Sequence, residues 1–235
     1  MSIIYVNPFQ FAAAPVGPTD PYFSNVSLLL HGDGTTIVDS SPSPKTVTPY
    51  GDAQINTTAT DPFGRTGIGV IAFDGTGDYL GLGGELDFAF GSLDFTIEFF
   101  FYQLATGGSL IDTRDNTGTY RLVERYQIYL NSSNQLVFQT YIAARATNAL
   151  NTLQWYHAAV CRSSGVTRLF LGGVQAGSNI TDNTNYGIGA NRPIIGNDLL
   201  ASSGFNGYID ELRITKGVAR YTTNFTPPTA PFPDA

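Results

Sequence analysis

An all-β domain, either a two-sheet sandwich or a barrel, is the fold class this sequence predicts, and three observations predict it. Short runs dense in β-branched and aromatic residues recur with turn signals roughly every 8–12 residues. Charged residues make up only 13% of the chain, whereas it holds 26 glycines and 13% aromatic residues, the usage of strands and turns rather than of amphipathic helices. No segment carries apolar residues at helical spacing. With 235 residues and 42% hydrophobic content the chain can bury a large core, and one domain is expected over residues 25–225. An extended arm over 1–24 precedes it and a Pro-rich tail over 226–235 follows it.

The arm differs from the rest because Pro8, Pro15, Pro18 and Pro21 punctuate it while it still carries Ile3, Ile4, Tyr5, Phe9, Phe11, Tyr22 and Phe23. A free tail is rarely so apolar. These side chains are expected to anchor the chain on a neighbouring subunit of a homo-oligomer or on another assembly protein; the alternative is that they pack on their own domain.

The first strand, Val26–Leu30, is apolar on both faces and ends at Gly32-Asp33-Gly34, with His31 packed at its end. Turn signals at 39–42 and 49–52 bracket short strands, and an Asp-Gly turn at Asp74-Gly75 joins two strand segments between 68 and 80. Residues 94–102 form the clearest strand: Phe95, Ile97, Phe99 and Phe101 line the core face, and Thr96, Glu98, Phe100 and Tyr102 the other. Asn131-Ser132-Ser133-Asn134 makes a hairpin of Tyr126–Leu130 and 135–141. A strand over 153–162, around Trp155, is turned by Ser163-Ser164-Gly165 into Val166–Leu171. In the closing strand, 205–215, strict alternation fails, since Ile209 and Leu212 would point to opposite faces. Either both faces are covered or a bulge at Asp210-Glu211 re-aims the second half. The tail has to run extended, near polyproline II.

Composition removes several function classes. A net charge of −7, with only Lys45 and Lys216 as lysines, argues against nucleic acid, which needs clustered cations. Cys161 is the sole cysteine, so no internal disulfide forms; lacking a CxxC pattern or a basic partner, it is expected to be a buried, inert thiol. Two histidines, His31 and His157, and one cysteine argue against zinc, and neither histidine lies near a nucleophile elbow. No run of about 18 apolar residues offers membrane insertion, and the N-terminus lacks the basic start of a signal peptide.

Binding remains. A hard cation wants oxygen ligands at about 2.3–2.6 Å and Asp-Gly loops supply them, so Asp74, Asp78 and Asp210 are the candidates for one structural Ca2+, although the ordered series of a calcium-binding loop is missing. A sugar surface needs aromatic planes beside amides and guanidinium groups, because sugar rings have apolar faces and hydroxyl edges. Tyr120, Arg121, Arg125, Tyr129, Tyr141, Arg145 and Tyr186 are the outward candidates.

Four pieces, in order, resemble the laminin-G-like, concanavalin A-like lectin/glucanase jelly roll: Phe73-Asp74-Gly75 with Asp78-Tyr79-Leu80; Phe95-Thr96-Ile97-Glu98-Phe99; Trp155-Tyr156-His157-Ala158; and Gly207 to Ile214 with Ala219-Arg220-Tyr221. The resemblance covers roughly residues 26–225. It implies a two-sheet antiparallel jelly-roll sandwich in which Val26–Leu30 pairs antiparallel with residues 209–215. Segments 20–31 and 224–228 are similar to tailed-phage virion proteins that carry this domain. That implies a virion appendage or decoration protein on the capsid or tail exterior, assembled in the host cytoplasm, with other virion proteins and a host-surface glycan as partners. A cement protein without ligand is the alternative. Gly172 departs from the family, which often has Asp there. Laminarinase-type hydrolases of the same sandwich carry the strand motif Glu-x-Asp-x-x-Glu. Here Glu85-Leu86-Asp87-Phe88-Ala89-Phe90 puts Phe90 where the acid belongs, and Asp210 and Glu211, as strand neighbours, face opposite ways. A noncatalytic protein is therefore expected.

Overall fold

The computed structural model describes residues 19–114, 124–189, 192–198, 200 and 202–235, and there the chain is an antiparallel two-sheet sandwich with the jelly-roll character expected. The strands are β1 (Val26–Leu30), β2 (Val47–Tyr50), β3 (Gln54–Ile55), β4 (Ile71–Asp74), β5 (Tyr79–Leu82), β6 (Phe95–Gln103), β7 (Gly108–Asp112), β8 (Tyr126–Leu130), β9 (Gln135–Thr140), β10 (Ala144–Ala149), β11 (Trp155–Ser163), β12 (Val166–Leu171), β13 (Val174–Thr181), β14 (Ile194–Ile195) and β15 (Asn206–Lys216). One sheet runs β13-β12-β11-β6-β15-β4-β3, with β1 also on β15; the other runs β10-β9-β8-β7-β14-β5-β2.

Between the sheets lie the alternate residues of β6 predicted for the core: Phe95, Ile97 and Phe101 are fully buried and Phe99 is 1% exposed. Phe95 stacks on Phe90 at 4.4 Å, and Tyr126 and Phe138 continue the aromatic layer from the facing sheet. Glu85–Phe88 forms a 3-10 turn rather than a strand, and Phe90 is buried, so the segment likened to a hydrolase motif has a packing role.

β15 holds its sheet together, pairing with β6 on one side and with both β4 and β1 on the other. The exchange of neighbours happens at a bulge: Glu211 has φ 49° and the β15–β6 register shifts between Asp210 and Arg213. One inserted residue lets Ile209 and Leu212, three apart, both enter the core, which resolves the broken alternation. Past the bulge β1 pairs antiparallel as expected, from Val26 opposite Thr215 to Leu30 opposite Leu212.

The outer face of this sheet is also covered over half its length, by residues 19–25 and by the chain after β15. Glu98, fully buried, accepts from Arg213 Nε (3.0 Å) and Nη2 (2.8 Å) and from the Tyr221 hydroxyl (2.9 Å), with His157 Nε2 at 3.5 Å. Asp20 completes the network, accepting from Arg213 (3.0 Å) and from both terminal nitrogens of Arg220 (2.9 and 2.6 Å). Burial alone would raise the Glu98 carboxyl; His157 and the guanidinium groups of Arg213 and Arg220 outweigh it and hold it at about 2. Phe232 of the tail packs with Val26 and Leu29 under Arg213, whose guanidinium carbon lies 3.7 Å from the ring centre. Of the arm, Phe23 joins this cluster, while Tyr22 is exposed with Arg220 over its ring; Ile3, Ile4, Tyr5, Phe9 and Phe11 lie outside the described residues. Burial pushes the Cys161 thiol up to about 12, which makes it inert at neutral pH.

Candidate functional site

The other half of that outer face is open, and registry assembles a row of side chains on it. Gln54 of β3 stands opposite Ala72 of β4, Ala72 opposite Tyr208 of β15, Tyr208 opposite Tyr102 of β6, and Tyr102 opposite Trp155 of β11. Directly opposed residues share a face, so five strands contribute one residue each to a single line. The rings of Tyr208 and Tyr102 are stacked 5.6 Å apart at 29°, and Trp155 is tilted against Tyr102 at 5.5 Å. All three are half-buried. Trp155 donates its indole N–H to the Thr60 carbonyl at 3.0 Å, which fixes its plane and holds the loop before β4 as a wall along the row. Gly207 allows the line to form, because a Cβ there would meet the Tyr102 carbonyl and the Phe205 ring and push β15 from β6.

At the Gln54 end three carboxylates gather. Asp52, Asp74 and Asp78 each offer an oxygen within 4.8 Å of the others. Asp78, 1% exposed, accepts the backbone N–H groups of Asp52 and Asp74, both at 2.8 Å, and so pins two loops together. Its hydrogen bond and charge, with the charge of Asp74, raise the Asp52 carboxyl.

Asp210 is not among them, which corrects the expected trio. Asp74 opposes Asn206, and Asp210 is four residues further along the ladder, about 13 Å away at strand rise. It lies beneath Gly32, fully buried; one carboxylate oxygen accepts the Glu211 N–H at 2.9 Å and the other has no hydrogen-bond partner among the described residues. Burial, with the charge of Glu211, pushes this carboxyl up to about 9. Beside it His31 is more than packed: its Nδ1 lies 3.0 Å from the Glu211 carboxylate and its Nε2 2.6 Å from Asp234 of the tail. Burial disfavours its charge, but the two acids raise it to about 9.

The expected sugar-surface residues do not converge. Tyr120 and Arg121 lie outside the described residues. Tyr186, expected outward, is 1% exposed: it packs edge-on to Phe95 and donates its hydroxyl to Asp182 at 2.8 Å, closing one end of the core. Arg145 opposes the core residue Phe138 and spends its guanidinium on the Ser178 and Asn179 carbonyls of β13, clipping the two sheet edges together. Arg125 stands over Gly187 and donates to the Glu124 carbonyl. Tyr129 is half-buried on the outer face of the other sheet, and Tyr141 is exposed beyond the end of β9. The aromatic row was missed because its members lie about 50 residues apart. The available signal was parity: Tyr102 alternates away from the core face of β6, and Trp155 pairs with that position.

Comparison with known proteins agrees with this architecture. A search of curated protein sequences finds no match. Among solved structures, the chain resembles the binding domain of Paraclostridial Mosquitocidal Protein 1 (17% identity, TM-score 0.61, 84% of this chain and 50% of that one). It also resembles domain 4 of AbnA, a GH43 extracellular arabinanase from Geobacillus stearothermophilus, solved with arabinotriose (18%, TM-score 0.57, 83% and 95%). A third is botulinum neurotoxin type C, which depends on interaction with two ganglioside molecules to get into cells (18%, TM-score 0.56, 83% and 49%). The chain spans about half the length of the toxin chains it matches. Residues 74–220, more than half of the sequence, match the family model for this sandwich, and the chain belongs to the concanavalin A-like lectin/glucanases superfamily.

Proposed function

We propose that this chain is a noncatalytic, lectin-like module that holds glycans, displayed on a phage particle as an appendage or decoration for adhesion to the host surface. The observation that carries the binding reading is the Gln54-Ala72-Tyr208-Tyr102-Trp155 row: flat aromatic faces beside amides, on the open half of a rigid sheet. The similar solved structures support it, being binding domains and a domain of an arabinanase in complex with arabinotriose. Against hydrolysis, Asp52 and Asp74 of the carboxylate cluster are exposed, and the buried third member, Asp78, has both oxygens taken up by backbone N–H groups, so none matches the free, apolar-enclosed carboxyl of a general acid. The particle setting is supported by the similarity of segments 20–31 and 224–228 to virion proteins, and contacts with neighbouring virion subunits are assigned to the apolar residues before Asp20. The experiment is a glycan array probed with the full chain, together with sugar-release assays on host polysaccharide. Retention without release is expected; no retention on any glycan leaves a purely structural decoration protein, and release makes it an enzyme.

One structural calcium belongs to the same proposal, with Asp210 as its carboxylate. Burial keeps a proton on this carboxyl, and a hard cation that takes the proton's place satisfies the oxygen left without a hydrogen-bond partner. Chelator should lower the Tm of the native chain and leave that of Asp210→Asn where it is; equal behaviour of the two removes the ion.

A further inference from the structure

The aromatic row runs into a cleft, and its chemistry narrows the ligand. Over Ala72 of β4, between the side chains of β3 and those of β15, lies a hollow of about 220 Å³ whose lining includes Tyr208, Asp52, Gln54, Asp74 and Asn206. That is below the ~300–1,000 Å³ of pockets that enclose drug-sized ligands, and it suits a single sugar ring. Ala72, between Gln54 and Tyr208 in the row, keeps the floor low; a larger side chain there would fill the hollow. Tyr208 offers a ring face, Gln54 and Asn206 offer amides that both donate and accept, and Asp74 offers a carboxylate that accepts from hydroxyl groups.

Among the described residues none that lines the hollow is cationic, and three carboxylates stand together at its rim. A sugar bearing its own carboxylate would meet like charge with nothing to pair it. A hydroxyl, or a protonated amino group, meets acceptors instead. We propose that this cleft binds the terminal, non-anionic sugar of a surface glycan, neutral or amino-bearing, with the ring against Tyr208 and its polar edge on Asp74 and Asn206, and that it rejects sialic and uronic acid termini. The inference rests on the glycan-binding reading above and gives that reading a place and a selectivity.

The test uses the full chain on arrays carrying neutral, amino-bearing, sialylated and uronic-acid-terminated glycans, followed by calorimetric titration of the best binder. Tyr208→Ala and Asp74→Asn should each weaken that binding about tenfold or more, the effect of losing roughly 1.4 kcal/mol. Ser133→Ala, in the β8–β9 turn of the other sheet, should not change it. Asn206→Ala, at a half-exposed site, repeats the test if Tyr208→Ala melts early. Binding confined to sialylated or uronic-acid glycans overturns the inference while keeping the chain a lectin. So does binding of a neutral glycan that survives these substitutions or is lost in Tyr129→Ala on the opposite face. No binding to any glycan overturns both readings.

Discussion

Phe99 and Glu98 are neighbours in β6 that face opposite layers, and each makes its own prediction. Phe99 is 1% exposed inside the main core, so Phe99→Ala should cost about 3–5 kcal/mol in urea unfolding through lost transfer energy and an unfilled cavity. Tyr208→Ala, half-buried on the outer face, should cost clearly less. Glu98 makes a pH prediction. Its folded pKa of about 2 lies below the ordinary value of 4.5, so its contribution to stability is present above pH 4.5 and is lost as the pH falls toward 2. Melting followed from pH 6 to pH 2 should show that loss, and Glu98→Gln should flatten it while lowering the Tm at neutral pH. Phe95, Ile97 and Phe99 were readable as core from strict alternation, because a strand with one face on the core announces it every second residue. Glu98 was readable only as facing away from that core; its partners Arg213, Tyr221 and His157 come from distant parts of the chain. Tyr186 was misread for a related reason: its segment has no period, and only the tertiary closure over Phe95 buries it.

The outer face of the β6–β15 sheet is divided between a strap and the aromatic row, and the strap is the testable element. The tail after residue 225 contributes Phe232 to the Val26–Leu29 cluster, its Phe232 N–H to the Glu211 carboxylate at 2.8 Å, and Asp234 to His31. Truncation at residue 225 should uncover Glu211 and Arg213 and cost about 3 kcal/mol or more in denaturant unfolding, because buried charges lose partners. An unchanged midpoint would mean that the tail merely lies on the surface. The pairing of β1 with β15 and the bulge at Asp210-Glu211 were legible, the first from the family resemblance and the second from broken alternation. The strap was not, since Pro231 and Pro233 announce an extended backbone and say nothing about what Phe232 touches. The acidic trio was half legible: the Asp-Gly loop pointed to Asp74 and Asp78, but Asp52 joins them through a second loop that the Asp78 carboxylate ties in.

Across the whole molecule, the arm and the tail meet. Asp20 donates its N–H to the Ala235 carbonyl at 2.6 Å, while its carboxylate holds Arg213 and Arg220. Deleting residues 1–22 removes Asp20 and should therefore lower the melting temperature by about 10 °C, the shift for losing roughly 3–5 kcal/mol in a chain of this size, and Asp20→Ala in the full chain should reproduce most of that drop. An Asp20→Ala chain that melts like the native one would remove Asp20 from the fold's support. The same meeting point has a mechanical consequence. Tension pulling residues 20 and 235 apart would enter and leave the sandwich at one spot and peel β1 from β15 bond by bond from the Val26–Thr215 end, rather than shearing the ladder all at once.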